Sequence, residues 1–224
     1  MESKLVFWDW TGTLADESKL DKAVCEAMEK EIAKKRAIPL REAKKIYHDY
    51  LKTVENTWKW HNYVLHCKKL GIDWKKCQRE NLGKMILVPH AKEILRYVRK
   101  KGCKNILATN AVRPVILLRI NYVKMKNLFD FIIACDDVKA LKAKGKHFRK
   151  GLEKFNVRPE NCFSIGDNPV QDIKSAKKLG LKTIYCKFGQ EMTHYHTKHI
   201  KTNHIQNAKP DYEINSLKEI EGII

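Results

Sequence analysis

Asp9-Trp10-Thr11-Gly12-Thr13 follows directly on the apolar run Leu5-Val6-Phe7-Trp8, so a carboxylate stands where a buried strand ends and a glycine-bearing turn begins. In open α/β sheets the carboxyl ends of the strands open into the ligand crevice. A short turn there leaves backbone N–H groups, here those of Gly12 and Thr13, to receive an anion. Further groups follow in order, each at the end of an apolar stretch. Thr109 comes after Ile106-Leu107-Ala108, then a cluster of Lys142, Lys144 and Lys146, then Gly166-Asp167-Asn168-Pro169-Val170-Gln171-Asp172 after Phe163-Ser164-Ile165. Together they suit phosphoryl transfer. A phosphoryl group carries negative oxygens that repel an attacking carboxylate, so a divalent cation and a lysine must neutralise them first. Asp9 and Asp167 can hold that cation, and hard oxygen ligands of this kind favour Mg²⁺. Thr109 can donate its hydroxyl to a phosphoryl oxygen, while one of the lysines pairs with both Asp9 and the phosphoryl group.

The elements that must position these groups can be read from periodicity. Apolar positions recur at helical spacing over residues 18 to about 35, again over 43–54 after Pro39, and in helical style over 58–70 and 74–82. Residues 15–85 therefore read as an all-helical block. Beyond it helix and apolar strand alternate: a helix opened by Pro89 and closed at Gly102, then strands at 106–108, 131–134, 162–165 and 183–186. The helices between those strands fall at 112–123, 146–155 and 170–179. This rhythm predicts an α/β fold, a Rossmann-like three-layer α/β/α core with a parallel sheet. The helical block interrupts it after the first strand and reads as a cap inserted over the carboxyl edge. The expected division is a core of 1–14 and 86–224 and a cap of 15–85.

The chain resembles the haloacid dehalogenase-like hydrolase superfamily, in its phosphoglycolate phosphatase-like branch with a helical cap. The residues that carry the resemblance are Asp9 to Leu14, Ala108-Thr109-Asn110, Leu128 to Ile133 with Asp136-Asp137-Val138 behind, Lys142 six residues before Phe148, and Gly166-Asp167 to Asp172. Pro210 to Ile214 with Ser216-Leu217 is similar to the family's last strand and closing helix. The resemblance implies an aspartyl-phosphate on Asp9. It implies Mg²⁺ bound by Asp9, the carbonyl of Thr11 and Asp167, with Asp172 in support directly or through water, and Thr109, Asn110 and Lys142 gripping the phosphoryl group. Ala143 and Gly145 stand where the family places prolines. The implied activity is a Mg²⁺-dependent phosphatase acting on a small phosphomonoester.

One position departs from the pattern. Phosphatases of this family carry a second aspartate two positions after the nucleophile, and here that position is Thr11, whose hydroxyl cannot act as a carboxylate base near pH 7. Either the aspartyl-phosphate breaks down slowly or another carboxylate serves. Asp16 is the nearest in sequence, but it reads more readily as a helix N-cap with Glu17 in the first turn. Restoring the aspartate by Thr11→Asp is expected to speed turnover. The alternatives are a phosphonatase-like or nucleic-acid-end phosphatase, and a catalytically impaired phosphate-binding protein.

Lys and Arg number 45 against 26 Asp and Glu, a net charge of +19 that concentrates anions, whether phosphorylated substrates or nucleic acid. The basic run 139–154 holds only Phe148 and Phe155 as aromatics, and both fit the inner face of a helix, so base stacking is not favoured. No apolar stretch approaches the roughly 20 residues that span a bilayer, and charges interrupt the N-terminus, so a cytoplasmic protein without membrane contact is expected. Seven cysteines without a C-x-x-C pair read as small buried hydrophobes in a reducing compartment. Trp58, Trp60, Tyr63 and Trp74 read as packing for small helices, with one of Trp58 and Trp60 free to face the site. His194, His196, His199 and His204 lie in a polar loop and match no standard metal spacing. Nothing in the pattern specifies an oligomeric state.

Overall fold

The computed structural model describes residues 4–191 and 209–224. Six parallel strands form one sheet in the order β5-β4-β1-β6-β7-β8. They are β1 (Lys4–Trp8), β4 (Cys103–Ala108), β5 (Phe131–Ile133), β6 (Cys162–Gly166), β7 (Lys182–Cys186) and β8 (Tyr212–Ile214). Alternation along β1 divides the core in two. Val6 and Trp8 enter one buried cluster with Leu107, Ile165 and Ile184. Leu5 and Phe7 enter the other with Ile106, Ala108, Ile133 and Phe148. Burial on both faces is why these strands read as continuous apolar runs.

After β1 the chain leaves the sheet. A ribbon of β2 (Ala15–Asp16) and β3 (Ile86–Leu87) pairs Ala15 with Leu87 and Asp16 with Ile86 in antiparallel register. Between them run α1 (Ser18–Arg36), α2 (Leu40–Val54), α3 (Tyr63–Leu70) and α4 (Trp74–Arg79). Leu20, Val24, Met28 and Ile32 form one buried stripe on α1 and share the cluster beneath Val6 and Trp8. The remaining helices are α5 (Ala91–Lys100), α6 (Arg113–Tyr122), α7 (Cys135–Val138), α8 (Lys146–Phe155) and α9 (Ser175–Lys177).

Several boundaries differ from the periodicity for local reasons. The helix expected over 58–70 begins only at Tyr63, where the Asn62 side chain accepts the Leu65 N–H, and the chain before it is a series of turns. Pro89 does not open α5, because His90 adopts a left-handed φ of 66° and the helix starts after it. In place of a regular helix over 170–179 the chain makes a wide turn, Pro169–Lys174, before α9. The closing helix is a 3-10 turn, Leu217–Gly222, started by a Ser216–Glu219 capping box. The two-residue strands and α7 are too short to leave a period.

Candidate active site

The strand order reverses direction at β1, with β4 and β5 on one side and β6, β7 and β8 on the other. Loops leaving the carboxyl ends of β1, β4 and β6 therefore converge at the switch point. Asp9 leaves β1 tethered by its N–H to the Ile165 carbonyl at 2.9 Å. Thr109 leaves β4 and Asp167 leaves β6. Carboxylate oxygens of Asp9, Asp167 and Asp172 lie within 4.8 Å of one another. The Lys142 ammonium sits 2.5 Å from Asp9 and 2.5 Å from Asp172, and also donates to the Ala108 carbonyl at 3.2 Å. Lys144 and Lys146 are exposed, whereas Lys142 is buried. Of the three lysines, Lys142 is the one the fold brings to Asp9.

Burial raises the Asp9 carboxyl above its ordinary range, an effect Lys142 opposes and Asp167 reinforces. Burial raises Asp172 likewise. Burial also disfavours the Lys142 ammonium, but Asp172 and Asp9 outweigh it and hold the group charged above its usual value. The three carboxylates outnumber that ammonium, so the cluster suits a divalent cation, and its donors are the hard oxygens Mg²⁺ prefers. Close glycines make the room. A Cβ on Gly12, whose φ is +80°, would strike the Asp167 carboxylate, and one on Gly166 would strike Asp172.

Gly189 is as tight, because a Cβ there would overlap both Asp167 Cβ and the Gly12 carbonyl. Gly189→Ala must therefore push Asp167 aside. We expect Gly189→Ala to weaken binding of a divalent cation at the three carboxylates about tenfold or more, which a calorimetric Mg²⁺ titration of the variant against the wild type checks.

The other expected phosphate contacts are placed differently. The Gly12 N–H is donated to the Ala15 carbonyl at 2.8 Å, and the Thr13 N–H points to the Trp10 carbonyl at 3.3 Å. Both groups help to close the turn on itself in this structure. Gly12 and Thr13 also border Asp167, with the Thr13 hydroxyl 3.5 Å from its Oδ1. Asn110 ties two loops together: its Oδ1 accepts the Lys142 N–H at 2.8 Å and its Nδ2 donates to Gln171. Thr109 is buried, its hydroxyl accepts the Ala111 N–H at 3.1 Å, and its carbonyl meets His147 Nε2 at 3.1 Å. Burial and the nearby Lys142 push His147 down to about 3, so the ring is neutral at working pH and Nε2 is the donor.

Thr11 faces a partner that sequence reasoning missed. Its hydroxyl donates to Glu17 Oε2 at 2.7 Å; Glu17 also accepts Trp10 Nε1 at 2.6 Å and Arg119 at 2.7 Å. Arg119 in turn reaches Asp21 at 2.8 Å and Gln78 at 3.2 Å. An aspartate at position 11 would stand beside the Glu17 carboxylate and the Arg119 guanidinium that pairs with it. Asp16 accepts the Ser18 N–H at 2.9 Å and serves the start of α1. The available sequence signal was Arg119, a lone cation within the apolar stretch 115–120 that had to find a buried anion.

The expected packing role of the aromatics holds for Trp60 and Tyr63, which are buried, while Trp58 is half-buried and its carbonyl accepts the Cys135 thiol. All seven cysteines are buried. His194, His196, His199 and His204 lie outside the described residues.

The haloacid dehalogenase-like hydrolase family model matches residues 3–180, and a second model of the same kind matches 142–220. A glyceraldehyde 3-phosphate phosphatase of Pyrococcus furiosus is 25% identical over 84% of this chain and 82% of its own length. Among solved structures, an HAD phosphatase from Thermococcus onnurineus covers 100% of this chain and 97% of its own at a TM-score of 0.80 and 23% identity. YfnB of Bacillus subtilis, an HAD-hydrolase bound to magnesium, covers 100% and 99% at a TM-score of 0.65 and 18% identity. At these identities the two structural likenesses speak for the fold alone.

Proposed function

The chain belongs to the haloacid dehalogenase-like hydrolases, enzymes with phosphatases among them, and on that premise we propose a Mg²⁺-dependent phosphatase that carries the phosphoryl group of a small phosphomonoester on Asp9. The observation that carries this reading is Lys142, 2.5 Å from the nucleophile and 2.5 Å from Asp172, among three clustered carboxylates. Lys142 opposes the rise that burial imposes on the Asp9 carboxyl and holds it in place, and its charge draws the phosphoryl oxygens towards the carboxylate that would otherwise repel them. Thr109 supplies a hydroxyl at the neighbouring strand end, and Asn110 holds the Lys142 backbone in register. Asp9, the Thr11 carbonyl and Asp167, with Asp172 directly or through water, would hold Mg²⁺, whose charge offsets that of the phosphoryl oxygens. Asp9 attacks phosphorus as the ester P–O bond breaks with its electron pair passing to the departing oxygen, which takes a proton from solvent and leaves as the alcohol; water then releases phosphate from Asp9.

In this reading α1 to α4, within 15–85, are the cap that selects the substrate and shields the site, over a core of 1–14 and 86–224. Among the described residues no helix is long and apolar enough to cross a membrane. The buried thiols suit a reducing cytoplasm.

The test is a phosphate-release screen with Mg²⁺ and with chelator. It spans small sugar and triose phosphates including glyceraldehyde 3-phosphate, with phosphonoacetaldehyde and 5′-phosphorylated oligonucleotides as the rival classes. Turnover of a small phosphomonoester that chelator abolishes supports the proposal; turnover confined to a rival class replaces it. Mg²⁺ at about a hundred times its Kd should also stabilise the fold by about 2.7 kcal/mol. For a chain of this size that raises Tm by about 5–10 °C, which a melt with and without the ion measures.

A further inference from the structure

Water must approach phosphorylated Asp9 in line, and an activating or orienting group is needed beside it. Of the six residues in the 9–14 loop, Asp9 and Thr11 keep solvent access while Trp10, Gly12, Thr13 and Leu14 are buried. Asp9 and Thr11 are therefore the residues of this loop that water can reach. A hydroxyl has one proton and two lone pairs. The Thr11 proton is committed to Glu17 Oε2 at 2.7 Å, so towards the site the oxygen can only accept.

Glu17 has no freedom to release it. Its Oε1 is held by Trp10 at 2.6 Å and its Oε2 by Arg119 at 2.7 Å, and the residue is 1% exposed. Arg119 is itself fixed by Asp21 and Gln78. With Trp10 and Arg119 already satisfying the carboxylate, the Thr11 bond is not needed to bury it. What that bond does settle is which way the hydroxyl points.

We infer that Glu17 is a positioning residue, holding the Thr11 hydroxyl as the acceptor that orients the water attacking phosphorylated Asp9. This rests on the phosphatase reading and deepens it. A lone pair of the water oxygen forms the new bond to phosphorus. The bond from phosphorus to Asp9 breaks with its electron pair returning to the carboxylate, and the water's proton passes to a phosphoryl oxygen, so inorganic phosphate leaves. Thr11 takes no proton in this step; it sets the direction of the attack.

The experiment uses para-nitrophenyl phosphate with Mg²⁺, steady-state rates and acid-quenched phosphoenzyme. Thr11→Val keeps the shape and the backbone carbonyl but removes the acceptor. Its kcat should fall about tenfold to a hundredfold with KM falling alongside, kcat/KM should stay within about threefold, and phosphoenzyme should accumulate. Thr11→Ser should restore kcat, while Glu17→Gln, which keeps the size but no longer fixes the direction of the Thr11 hydroxyl, should lower kcat with phosphoenzyme accumulating; a folded Glu17→Gln variant with wild-type kcat and phosphoenzyme level overturns the inference. A valine variant with wild-type kcat overturns the inference. So does one whose kcat/KM falls without phosphoenzyme, which marks a merely structural role. A wild type that forms no phosphoenzyme on Asp9 overturns the phosphatase reading, and this inference with it, and is told apart because that measurement comes first.

Discussion

Asp9→Asn is expected to lower turnover of any accepted phosphomonoester by at least about 10⁴-fold, with no phosphate incorporated into the protein. The amide nitrogen cannot attack phosphorus, and the side chain loses one of the three clustered anions that suit a cation. The fold should survive. Burial raises the Asp9 carboxyl, so the folded protein bears part of the cost of its charge, and an amide removes that cost while Lys142 keeps Asp172 as a partner. In the absence of metal the variant should therefore melt no lower than wild type, and the Mg²⁺-dependent rise should shrink. Initial rates and a melt with and without Mg²⁺ read both effects. Wild-type turnover in this variant would remove Asp9 from the chemistry.

Arg119→Met is expected to cost about 3–5 kcal/mol of folding stability, the range for removing one partner of a buried ion pair. Arg119 is 2% exposed, and its loss strands Glu17 and Asp21 beside each other with Gln78 no longer tied to them. Burial already raises the Glu17 carboxyl and Arg119 is what opposes it, so the variant's Glu17 must rise further. A carboxyl raised in the folded state binds more protons there than in the unfolded chain, so stability falls as pH rises through the interval between the two values. The deficit should accordingly narrow as pH is lowered through the carboxylate range. Urea unfolding at several pH values measures it. A loss below about 1 kcal/mol at neutral pH would mean that the network does not hold α1, α4 and α6 together.

Much of the frame was legible because it is local. The runs at 5–8, 106–108 and 162–165 are buried on both faces, so they stand out as strands without any alternation, and the stripe Leu20, Val24, Met28, Ile32 marks α1 by spacing alone. The position of Asp9 and the Gly166–Asp172 loop follow from where those runs stop. Boundaries set by one side chain or one dihedral were not legible. Asn62 capping α3 and the left-handed His90 before α5 each moved a start by residues that no periodicity weighs.

Residue types and their order along the chain thus decided the α/β core and the chemistry on offer at its strand ends, because strand and helix periods depend on neighbours a few positions away. Tertiary structure decided the partners. It chose Lys142 over Lys144 and Lys146 by packing it 133 residues away against Asp9, and turned Thr11 towards Glu17 rather than leaving its hydroxyl uncommitted. It also closed the Gly12 and Thr13 N–H groups into the turn and drew Arg119 to Glu17 across 102 residues. Charge and hydrogen-bond geometry act over a few ångströms in space whatever the distance along the chain, so only the folded backbone could say which of several chemically equal side chains meets which.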